Sequence, residues 1–186
     1  MFLLRDLAAA AAVERSEKAF GPIDADAVLL FLTVLKAGSD LLNALDDFLA
    51  AYGLRHGRWM TLVLLLRQPG QTAKPSDLAE SQGVARATMT GLLEGLEKDE
   101  LIERLPDPSD GRGQLVRLTG KGRATLMSVM PAYYARVKRL LDGVKPKRIA
   151  RTTELLALMQ DRTDRLSGEQ PAPDATGKKR GKKSGR

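Results

Sequence analysis

PSDLAESQGVARATMTGLLEGLEKDELIERLPDPSDGRGQLVRLT, residues 75–119, decides the fold. Its first eight residues predict a short helix, Gly83-Val84 a tight turn, and ARATMTGLLEGLEK a longer helix. The apolar residues Val84, Met89, Leu92, Leu93 and Leu96 form one stripe along that longer helix. Beyond it the spacing changes from helical to alternating. Leu101, Glu103 and Leu105 in LIERL, answered by Leu115, Arg117 and Thr119 around LVRL, predict a half-buried hairpin. Between them, Pro106 to Gln114 hold two Pro, two Gly, two Asp and a Ser, a composition that predicts a loop. Helix, turn, helix and hairpin in this order make a winged helix-turn-helix. The expected fold class is therefore mainly α with a small β-hairpin wing, joined to a helical dimerisation region.

In such a module the second helix enters the major groove of double-stranded DNA and the hairpin lies beside it. The face opposite the apolar stripe offers Arg86, Ala87, Thr88 and Thr90. They lie near a helix N-terminus, whose partial positive charge and free amides suit a phosphate. Arg112 is the one cation of the hairpin loop, and a lone Arg there can enter a minor groove. Ser76, at the start of the short helix, and Arg117, on the second strand, complete the candidate DNA-binding set.

The run GLLEGLEKDELIERLPDPSDGRGQLVRLTGKG resembles the signature of the MarR family of bacterial transcription regulators. The matching elements are Leu96-Glu97, the strand Ile102 to Leu105, Asp110-Gly111-Arg112 and Leu118-Thr119-Gly120-Lys121-Gly122. The resemblance spans roughly residues 25 to 167 and is strongest from Asp77 to Gly122. It implies a homodimer, operator binding and release by a small ligand. Three positions depart from the family pattern: Ala85 stands where a Ser helix cap is usual, Gly111 where a wing Arg is common, and Glu100 where a Gly usually follows the recognition helix. Losing the cap costs about 1 kcal/mol of helix-end stability.

Length and charge agree with one compact domain carrying tails. Thirty Lys and Arg against 23 Asp and Glu give a formal charge of +7. Residues 168–186 hold six of the cations and two of the acids, so +4 lies in the tail and +3 in the remainder. The balance favours an anionic partner. There is no Cys, which excludes disulfides, zinc-thiolate sites and thiol redox sensing. With a single His and no Gly-rich phosphate loop, no nucleophile–base pair can be named, and neither an enzyme activity nor a cofactor is expected. The apolar start, MFLLRDLAAAAAVERSEKAF, is interrupted by Arg5-Asp6 and reads poorly as a signal peptide. No run reaches about 18 uncharged apolar residues, so a cytoplasmic chain outside the membrane is expected. Residues 1–24 read as an extension, either an Ala-rich helix packed on the dimer or a frayed end. Residues 168–186 read as a disordered basic tail that adds phosphate attraction or only solubility.

Flanking helices complete the outline. From Ala25 to Tyr52, residues Val28, Phe31, Leu35, Gly38, Leu42, Leu45, Leu49 and Tyr52 form a seam, and further apolar positions imply a second buried surface, supplied by a second chain. This gives a dimerisation helix over 25–54, a DNA-binding lobe over 55–119 and C-terminal dimerisation helices over 120–167. Gly53 is placed to end the first helix in a left-handed conformation, with Leu54 folding back. Thr119 is placed to cap the helix after the wing, Pro131 to bend or break that helix, and Pro146 to start the last one. His56, Arg58 and Trp59, at the start of the helix His56 to Arg67, are candidates for a ligand wall that the resemblance implies, where a small aromatic acid or its thioester would meet Arg58. The alternative is that His56 is an ordinary surface residue and Trp59 core.

Together these features predict a ligand-responsive regulator, a repressor that binds a near-palindromic operator as a homodimer. The alternative is an architectural or interaction protein whose winged helix binds DNA without ligand control.

Overall fold

The computed structural model describes residue 21 and residues 24–108 and 110–167, with the side chains of 110–112 and 164–167 excluded. The basic tail, and all but two residues of the N-terminal extension, lie outside the described residues. Two compact units meet in sequence at Arg136 and Val137.

The first unit opens with α1, Ala25–Ala50, capped by the Asp24 carboxylate, which accepts from the Ala27 amide at 3.0 Å. It ends as the sequence predicts: Gly53 takes φ +67° and the Leu54 amide returns to the Leu49 carbonyl at 3.1 Å, burying Leu54. Only the last turn of α1 is buried within the chain, through Phe48 and Leu49. Val28, Phe31, Leu35, Leu41 and Leu42 are exposed. By length and composition α1 is apolar enough to cross a membrane. Counting only uncharged runs hides this, because Lys36 and Asp40 interrupt the run while pairing with each other.

Helix α2, His56–Arg67, buries Trp59, Leu62, Val63 and Leu65 and is the centre of the lobe. A single helical turn at Pro69–Gln71 and a strand β1, Thr72–Ala73, follow. Helix α3, Pro75–Gln82, ends at Gly83, whose left-handed φ of +67° lets the Val84 amide reach the Ala79 carbonyl at 3.0 Å. Helix α4 is Arg86–Lys98. Strands β2, Ile102–Asp107, and β3, Asp110–Leu118, complete an antiparallel sheet in the order β1-β3-β2.

Two expectations change here. The stretch 106–114 is mostly strand rather than loop, with Pro106 opposite Gln114 and Asp107 opposite Asp110. Pro106 is tolerated because β2 is an edge strand. Leu101, Ile102, Val116 and Leu118 are buried and Leu105 and Leu115 half-buried, so the hairpin turns one side to the core. Finally, Pro131 does not break its helix. Helix α5 runs unbroken over Gly120–Leu140, because the residues around Pro131 are held from the lobe side by fully buried Leu126 and Val129 and by Tyr133, whose ring lies 4.7 Å from that of Trp59. The carbonyl that Pro131 leaves unpaired belongs to Met127, on an exposed stretch where water can reach it.

Thr119 caps α5 as expected, its Oγ1 accepting from the Gly122 amide at 3.0 Å. In the second unit, α6 over Pro146–Ser167 leaves Ile149, Leu155, Leu156 and Leu158 exposed.

Candidate nucleic-acid interface

The seat of α4 follows from its stripe. Met89, Leu93 and Leu96 are buried and Val84 and Leu92 half-buried, so the opposite face is presented outward. That face carries Ala87, Gly91, Glu94 and Lys98 at helical steps, flanked by exposed Arg86, Thr88 and Thr90. Residue type alone marks this face only as far as Thr90. Glu94 and Lys98 follow from continuing the same spacing, and Gly91 from noticing that a residue without a side chain leaves room for close approach. Within the face, the Thr90 hydroxyl donates to the Arg86 carbonyl at 3.0 Å. At the N-terminus of α4, Ala85 supplies no side-chain cap, so the first amides keep their capacity for an outside acceptor.

Around α4 the other candidates take definite places. Ser76, in the first turn of α3, is exposed and donates to Asp77 at 3.0 Å. Arg117 sits opposite Glu103 in the sheet and pairs with it at 2.9 Å, so its charge is shared with an acid. Arg112 falls within β3, and its side chain lies outside the described residues. Arg104 was not singled out by the sequence. Its Nε donates to Glu97 at 2.9 Å and its Nη1 to Gln114 at 3.2 Å, tying the last turn of α4 to the wing. Lys74, just before α3, pairs at 2.9 Å with Asp107 in the wing, whose side chain is buried. Helix and wing are thus positioned by ion pairs as well as by apolar packing.

His56, Arg58 and Trp59 share the first turns of α2 but diverge. The His56 amide donates to Asp46 at 2.5 Å, so Asp46 of α1 caps α2 in place of Arg55. Arg58 turns toward α4, donating to the Gly95 carbonyl at 2.8 Å and pairing with Asp99. This neighbour holds the Asp99 carboxyl below the usual carboxylate range, first by hydrogen bonding and then by charge. Trp59, 3% exposed, packs on Tyr133, and its indole N–H is buried without a hydrogen-bond partner among the described residues. The guanidinium expected to receive a ligand acid is therefore already engaged by an internal one.

Comparison with known proteins returns one consistent group. Residues 54–113 match the family model described as MarR family. A curated relative, the HTH-type transcriptional repressor YetL of Bacillus subtilis (strain 168), is 28% identical over 124 residues, 67% of this chain and 74% of that one. The crystal structure of Sco3205, a MarR family transcriptional regulator from Streptomyces coelicolor in complex with DNA, is 25% identical with a TM-score of 0.71, covering 75% of this chain and 89% of that one. AbsC, a MarR family transcriptional regulator from the same organism, is 26% identical with a TM-score of 0.69, covering 80% and 98%.

Proposed function

We propose that this member of the MarR family of winged helix-turn-helix transcription regulators is a homodimeric repressor, acting in the cytoplasm. It places one α4 in each half of a near-palindromic DNA site. The observation that carries the reading is α4 itself: its apolar stripe packs into the lobe, its opposite face is open, and its N-terminus has no side-chain cap. Arg86 and Thr90 beside that face are the proposed base readers, with Ala87 and Thr88 next to them, Ser76 and Arg117 as backbone contacts, and Arg112 as the minor-groove candidate. The DNA bound to Sco3205 supports the same use of the fold. The open apolar faces of α1 and α6 support a second copy of the chain.

Sequencing the DNA retained by the purified protein from a pool of random fragments tests this reading. A recurrent palindrome is expected. Scattered fragments without a shared motif would instead favour the architectural alternative.

Control by a small aromatic acid or its thioester is part of the proposal. The unpartnered indole N–H of Trp59 favours it, while Arg58 would have to exchange Asp99 for the ligand. Salicylate and benzoyl thioesters are suitable probes, read through Trp59 fluorescence. A compound that releases DNA without altering that emission would place the binding cleft elsewhere.

A further inference from the structure

We infer that Arg58 is a positioning residue: a strut from the first turn of α2 to the last turn of α4 that sets DNA specificity without touching DNA. The inference rests on α4 being the reading element proposed above.

The strut is built from several independent features. Arg58 is 22% exposed on its side chain, and its guanidinium is committed inward to the Gly95 carbonyl and to Asp99, 37 and 41 residues away in sequence. A cation there lies at the carbonyl end of α4, where the helix dipole favours it. Gly95 gives the guanidinium a flat seat: a Cβ built there would lie 3.6 Å from Nε and 3.7 Å from Cζ. At its other end α4 has no side-chain cap, and its placement is inherited from α3. Helix α3 is in turn bolted to the same turn of α2. Gln82 donates to the Gly57 carbonyl at 3.0 Å and accepts from the fully buried Thr61 hydroxyl at 2.9 Å. One turn of α2, Gly57 to Thr61, thus holds both helices of the helix-turn-helix, and Asp46 of α1 holds Arg55 and His56 just before it.

The consequence separates two kinds of DNA binding. Paired hydrogen bonds to a base edge need a fixed helix angle, whereas attraction to phosphates tolerates a loosened one. Removing the strut therefore reduces discrimination more than general affinity.

The test uses the full-length protein, the duplex it selects from the random pool and a scrambled duplex, titrated at several salt concentrations. Arg58→Ala is expected to lower the ratio of specific to scrambled affinity by about tenfold. The salt slope on scrambled DNA should remain that of the unaltered protein. Asp99→Ala, at a half-exposed position that spares the fold, should lower the ratio comparably, and the double variant should be little worse than either single one. Arg58→Lys, which keeps the charge but loses the planar guanidinium that lies against Gly95, should recover only part of the loss. An unchanged ratio in Asp99→Ala, or fully additive losses, overturns the inference. So does a scrambled-DNA slope that falls by about 0.9 in Arg58→Ala, since Arg58 would then be a phosphate contact. If the unaltered protein selects no sequence, the proposed function fails first and this inference with it, an outcome visible before any variant is made.

Discussion

Glu100 holds a left-handed backbone, φ +59°, at the turn out of α4, the conformation that glycine adopts most readily. A side chain there costs about 1–2 kcal/mol. The compensating contact is small, because the Glu100–Lys121 pair is mostly exposed. Replacing Glu100 with Gly should raise stability by up to about 1 kcal/mol, the gain being reduced by the greater freedom of glycine in the unfolded chain. Urea unfolding measures it, and Glu100→Ala should show no such gain. Glu94 offers a functional counterpart on the outward face of α4. Its charge opposes phosphates, so Glu94→Gln should strengthen binding to scrambled DNA several-fold at low salt, while Arg86→Ala should cost about 1–3 kcal/mol on the selected site and much less elsewhere. Equal responses on both duplexes would mean that another surface reads the sequence.

Elements bounded by punctuation were legible from the chain. Pro75 and Gly83 delimit α3 and α2 ends at Arg67 as expected, while α1 ends at Ala50, two residues short of the expected Tyr52, with Gly53 closing the turn that follows. Strand β1 was not foreseen because two residues carry no periodicity, and the wing was drawn short because Pro106 and Pro108 look like loop residues until the edge position of β2 is known. The Arg58–Asp99 contact was hidden for another reason: nothing local records a partner 41 residues away. Gly122 shows the same limit from the opposite side, since a glycine in the first turn of α5 reads as neutral. A Cβ there would sit 2.1 Å from the Leu101 carbonyl oxygen, backbone that cannot step aside. Gly122→Ala should therefore destabilise the lobe by at least about 1–3 kcal/mol, measured by thermal unfolding. Acid acts on the turn beside it. The Asp99 carboxyl is held low by Arg58 and, more weakly, by Lys121 and Lys98, against a small opposing effect of burial. A depressed carboxylate stabilises the fold above its unfolded-state value and loses that contribution as the pH falls through its lower folded value. Loosening of the α4 end is expected only on strong acidification, and Asp99→Asn should remove that part of the acid response.

At the scale of the molecule, what most needs a partner is α1. Along one helix, Phe31, Leu35 and Leu42 expose 54%, 51% and 49% of their surfaces, more apolar area than a helix keeps in water without a cover. Lipid could cover it by length and hydropathy alone. Against lipid stand five charged residues, Asp26, Lys36, Asp40, Asp46 and Asp47, and a C-terminal turn already anchored in the lobe through Phe48 and Leu49. A second copy of the chain tolerates such charges at the rim of an interface and brings a second α4 into place. Light scattering should then give twice the 20.2 kDa chain mass without detergent. Leu35→Asp combined with Leu42→Asp should yield a helical monomer. That monomer should bind a single half-site nearly as well as before but lose about 10²–10⁴ in affinity on the full site, because two tethered lobes gain from effective concentration and one lobe does not. If two copies pair about a twofold axis, two half-sites one helical turn apart, about 34–36 Å, are expected. A folded wild-type monomer at micromolar concentration, or a double variant that still grips the full site as tightly, would remove the dimer and with it the palindrome.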